Sequence, residues 1–178
     1  MSQLKVDSLI PRGGLSSGAS GGIIQVKQTT KTDTFSEVVT NGGVSSVCIS
    51  VDFAASSSSN KLLIIASCYC DSSDQPTNNG IQLTDNGSGI TGARGDASGS
   101  QGRVAGGWGQ VTTNEFVYHA YAEYLHTVSD TNSHTYGVKM YQGSSHSNQT
   151  LFLNFASTSS TTTRIRPIST LTVMEVSV

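Results

Sequence analysis

From residue 23 onward the apolar residues of this chain fall in short clusters that alternate with polar ones, and a stripe of helical period is hard to find. "VSSVCISVDF" (44–53) sets Val47, Ile49, Val51 and Phe53 on one face of a strand, with Cys48, Ser50 and Asp52 on the other. "IIQVKQ" (23–28), "KLLIIASCYC" (61–70), "HTYGVKMY" (134–141), "LFLNF" (151–155) and "ISTLTVMEVSV" (168–178) read the same way. "EFVYHAYAEYLH" (115–126) is the best helix candidate, but its Val, Phe and Tyr residues favour a strand. Gly, Ser, Asn and Asp clusters between these runs supply turn chemistry. The pattern predicts an all-β fold over residues 23–178: an antiparallel, jelly-roll-like β-sandwich.

Residues 1–22 follow another rule. "LKVDSLI" (4–10) alternates well enough for Leu4, Val6 and Ile10 to add a short strand to a partner's sheet edge. Pro11 and "RGG" stop it, and "LSSGASGG" is flexible-linker chemistry. An extended attachment arm, then one domain, is the expected organisation.

Two strands are apolar on both faces. Leu62, Ile64, Ala66 and Cys68 alternate with Leu63, Ile65, Ser67 and Tyr69; Phe116, Tyr118, Ala120 and Tyr124 alternate with Val117, Tyr121 and Leu125. A lone sandwich needs one apolar face per strand. A second cover is required, and another copy of the chain supplies it most simply.

"SGASGGIIQVKQTTKTDTFS", "SSSSNKLLII" and "STLTVMEVSV", in this order, resemble a domain recurrent in virion appendage proteins of marine tailed phages, including those of cyanobacteria. The resemblance runs from "LKVDSLIP" to the C-terminus. It implies a trimeric β-sandwich on tail fibres or on the capsid surface, with other virion proteins as partners of the arm. Long fibres of the family carry the domain on a shaft that is missing here, which turns the expectation to a short tail fibre or fibre-like appendage. A capsid decoration protein is the alternative, and a glycan-degrading appendage enzyme a more remote one.

Composition narrows the chemistry. Charged residues are 12% of the 178, against roughly a quarter in an average protein. The ten basic residues are scattered and the net charge is −2, a poor match to nucleic acid. "LLIIA" (62–66) is far short of a bilayer span, and the N-terminus lacks a signal-peptide core, so a chain made and assembled in the host cytoplasm, without membrane insertion, is expected. An odd set of cysteines, Cys48, Cys68 and Cys70, then points to buried free thiols.

No cofactor or metal is expected. The histidines at 119, 126, 134 and 146 lack paired spacing, although His119, if set on a three-fold axis, would offer one ligand per chain. Asp33, Asp52 and Glu123 are isolated where glycan hydrolysis needs facing carboxylates, and no "GxSxG" turn occurs, so the chain reads as non-enzymatic. The tripeptide Arg94-Gly95-Asp96 is the ordinary product of a Gly/Asp/Ser-rich loop. Residues 71–110 are polar and glycine-rich and read as exposed loops that carry host contact. Trp108, between glycines, is read either as a platform for sugar rings or as core; Arg94 and Arg103 are placed to meet anionic groups of host surface polysaccharide.

Overall fold

The structure, a computed structural model, describes residues 22–73, 77–110, 116–143, 148–157 and 165–177. Among them the chain forms β1 (Ile23–Lys31), β2 (Phe35–Thr40), β3 (Val44–Ala54), β4 (Lys61–Ser72), β5 (Thr77–Asp85), β6 (Ser88–Gly89), β7 (Gly106–Gln110), β8 (Tyr118–Thr127), β9 (Ser133–Tyr141), β10 (Asn148–Leu153) and β11 (Ser169–Val176). The one helical element among them is a 3-10 turn, Thr91–Ala93. Every pairing is antiparallel. The all-β sandwich expected from the alternating pattern is the fold.

The longest strand, β4, organises the first sheet. Along one edge it pairs with β8. Along the other it pairs first with β11, over Lys61 to Ser67, and then with β10, over Cys70 to Ser72. The strands β1 and β2 lie outside β11 and β10. The second sheet runs β3-β9-β5, and β7 and β6 share the far edge of β5. Leu62, Ile64, Ala66, Cys68 and Cys70 of β4 face the space between the sheets and meet a core that includes Phe53, Ile81, Leu83, Val138 and Met140. Each large side chain so buried stabilises the fold by about 1.5–3 kcal/mol.

Simple alternation misplaces two side chains of β3, Val47 and Cys48: Val47, paired with Lys139, lies on the outer face and not with Ile49, Val51 and Phe53. The register against β9 shifts between Val44 and Val47 and again between Val47 and Ile49. These bulges turn Cys48 inward beside Ile49, so both are buried. All three cysteines are free and buried, and burial pushes the Cys48 thiol up to about 12.

Residues 71–110 also differ from the expected run of loops. Asp71 and Ser72 close β4 and are buried, and Ile81 and Leu83 make β5 an internal strand with no exposure at either side chain. Among the described residues of this stretch the longest loop is 94–105, and it lies over the outer face of β5. Gln82 Nε2 donates to the Arg103 carbonyl at 2.8 Å, and the Ala105 amide donates to the Ile81 carbonyl at 2.8 Å. Gly80 leaves the space that Val104 fills.

Three distant segments meet at Glu175, which is fully buried. Its carboxylate accepts from Gln25 Nε2 (2.7 Å), the Ser56 amide (2.8 Å), Ser56 Oγ (2.7 Å) and Asn60 Nδ2 (2.6 Å). The first strand, the "SSSSN" turn and the last strand are thereby tied together.

Candidate functional site

β4 also defines two ends of the described domain. At the Lys61 end, β1 begins and β11 finishes: the Gly22 amide donates to Ser177 Oγ and the Ser177 amide to the Gly22 carbonyl, each at 3.0 Å. At the Ser72 end, β10 pairs with β4 and β2 finishes opposite the start of β10. Twelve residues of β4 separate these ends, roughly 35–40 Å of extended chain.

A cleft of about 680 Å³ opens at the Ser72 end, on the outer face of the second sheet. Its floor is β7 and the start of β5, where Asn78 pairs with Gly109 and Gly80 with Gly107. Gly107 carries no side chain to fill the space, and a Cβ there would meet only the Asn79 carbonyl, at an ordinary 3.5 Å. Tyr141, paired with Gly80 on the same face, forms one wall, and Gly102 of the covering loop rests directly against its ring. Ser100 and Gln101 of the covering loop and Asn41 and Gly42 of the β2–β3 turn complete the lining. The turn is held by the Gly42 amide donating to the Gln142 carbonyl at 3.1 Å. No lining residue among those described carries a charge.

The residues singled out in the sequence take different positions. Trp108 is 5% exposed and belongs to the core, on the face shared with Asn79, and both residues also border the cleft. Arg103 fastens the covering loop, with Nε donating to the Gly95 carbonyl at 2.6 Å. Arg94 caps the 3-10 turn, its Nη2 reaching Thr91 Oγ1 at 3.4 Å. Neither arginine lines the cleft. Leu4, Val6 and Ile10 lie outside the described residues. Asn78, Gln101 and Tyr141 carry no motif that single-sequence reading finds; register brings Asn78 and Tyr141 together and the covering loop adds Gln101.

A second cluster sits at the Lys61 end, beside a cavity of about 470 Å³. Asp85 accepts from His134 Nδ1 at 2.6 Å and lies 3.6 Å from His126 Nε2; Asp130 faces His134 Nε2 at 3.2 Å. The Asp85 hydrogen bond outweighs burial and raises the His134 pKa, whereas burial, opposed by Asp85, lowers that of His126. His119 is engaged on the outer face of the first sheet, 2.8 Å from Ser67 Oγ and tilted over the Tyr69 ring at 4.9 Å. Among the described residues no three His, Cys, Asp or Glu side chains are grouped to hold a metal.

The outer face of the first sheet is the other conspicuous surface. Register aligns Val26, Met174, Leu63 and Leu125 in one row across β1, β11, β4 and β8. Val26 is 52% exposed and Leu125 47%. Ile65 stands in the next row, with Gln28, Thr172 and Glu123, and Tyr121 one row further, beside Ser67, with its hydroxyl donating to Glu123 at 2.7 Å.

No family model and no curated protein matches the chain. Among solved structures, a chain in the structure of infectious bursal disease virus, Gx strain, is similar over 98% of this chain at 14% identity, with a TM-score of 0.44. The match spans 45% of that viral chain. A likeness this loose carries no argument about function.

Proposed function

We propose that the chain is a non-enzymatic structural protein of a phage virion, a short fibre-like appendage docked by residues 1–22. The observation that carries this reading is the polarity of the domain. The chain enters at Gly22, at the Lys61 end of β4, and the cleft opens at the Ser72 end, so an anchor at one end presents the cleft at the other. The sequence resemblance to virion appendages supports the same assignment. The row Val26–Met174–Leu63–Leu125 supplies the contact between copies in a homotrimer.

The test is quantitative mass spectrometry of purified particles of the encoding phage. Full-length protein is expected at a fixed copy number, and protein lacking residues 1–22, folded by circular dichroism, is expected to be absent. Failure to find the full-length protein in the particles overturns the assignment. Normal incorporation of the truncated form removes the arm as its anchor.

A further inference from the structure

We infer that the cleft between Tyr141 and the β2–β3 turn binds an uncharged saccharide. The cavity, about 680 Å³, lies within the ~300–1,000 Å³ usual for ligand sites. Its chemistry selects the ligand class. The described lining offers neither a cationic side chain to pair with an anion nor a carboxylate to pair with a cation. What it offers is amide and hydroxyl: Asn41, Asn78, Gln101, Ser100 and the Tyr141 phenol. Each of these groups both donates and accepts hydrogen bonds, which matches a sugar hydroxyl, itself donor and acceptor.

The shape agrees. Gly107 and Gly109 leave the floor bare of side chains, so a ring approaches the backbone closely. The Tyr141 ring, with Gly102 against part of it, gives a wall with an aromatic surface. Val104, seated on Gly80, fixes the covering loop and so holds the cleft open before any ligand arrives. The inference deepens the virion reading by naming what the presented end contacts, and rests on that reading only for the source of the glycan.

The experiment uses purified full-length protein and soluble probes, so it fails or succeeds separately from incorporation into particles. Maltotetraose, cellotetraose and N,N′-diacetylchitobiose are titrated to ~10 mM, an order of magnitude above a ~1 mM Kd, with tetragalacturonic acid as the anionic comparison. Amide shifts are followed by two-dimensional NMR. At least one neutral saccharide is expected to shift the Asn78 and Gln101 side-chain amides and the Gly107 backbone amide. Gly107→Ala, whose Cβ would meet only the Asn79 carbonyl at 3.5 Å and so raise the floor without a close contact, is expected to weaken that binding at least tenfold, and Asn78→Ala severalfold. The inference is overturned if no neutral saccharide moves these resonances. It is equally overturned if both folded variants bind as the parent does, or if tetragalacturonic acid binds better than every neutral probe.

Discussion

Glu175 is a carboxylate taken out of water with no cation beside it. Burial works to raise its pKa, but the hydrogen bonds from Asn60, Gln25 and Ser56 prevail and hold it down to about 2. A folded-state pKa below the unfolded value of roughly 4.3 means that this contribution is complete above that pH. It is then lost as pH falls toward 2. His134 has the opposite sign: its raised pKa gives stability that is full below roughly 6.5 and lost as pH rises through the folded value. Glu175→Gln turns one acceptor into a donor facing other donors, and is expected to cost about 2–4 kcal/mol. Urea melts of parent and variant at pH 7 and pH 3 check this, because the difference between them should shrink in acid. An equal difference at both values would show that the carboxylate charge is not what the donors hold.

At the scale of elements, the loop over the second sheet depends on glycines in the strand beneath it. A Cβ at Gly80 would stand 2.5–2.8 Å from three Val104 carbons, closer than side chains pack. Gly80→Ala is therefore expected to lift residues 94–105 and to destabilise by about 1–3 kcal/mol. Limited proteolysis should then cut within that loop faster than in the parent, while β4 and β9 stay intact. Unchanged cleavage would mean that Val104 repacks in place. The same covering explains what was legible in the sequence. Strands with period-2 apolar runs, such as β4 and β11, declare themselves from residues alone. β5 does not, because its outer residues Gly80 and Gln82 lie under a loop, Thr84 is buried between β6 and β9, and its inner face offers few apolar positions beyond Ile81 and Leu83. Cys48 was hidden by bulges, which shift register without leaving a signature in hydropathy. The cleft was legible only as a glycine-rich region, since Tyr141 and Asn41 reach it through pairings far apart in the chain.

For the whole molecule the decisive surface is the outer face of the first sheet. Sheets that end in water alternate apolar inward and polar outward, and β1, β11, β4 and β8 break that rule in one continuous row. Scattered exposed aliphatics are normal, but a contiguous patch marks an interaction surface. The row crosses four strands and lies away from the cleft, so copies joined through it would keep their Ser72 ends open to the surroundings. Obligate assemblies often bury ~2,000 Å² or more in such contacts, and the proposed trimer should then persist at nanomolar concentration. Leu125→Asp places a charge at the edge of the row on a side chain already 47% exposed. In an isolated subunit that change should alter stability by no more than about 0.5 kcal/mol, whereas a buried, unpaired carboxylate in a contact between copies costs several. Light scattering should therefore report a trimer for the parent and a folded monomer for Leu125→Asp, with circular dichroism unchanged. A parent that is monomeric at micromolar concentration would remove the outer face as an interface. A variant that remains trimeric would move the contact to another part of the surface.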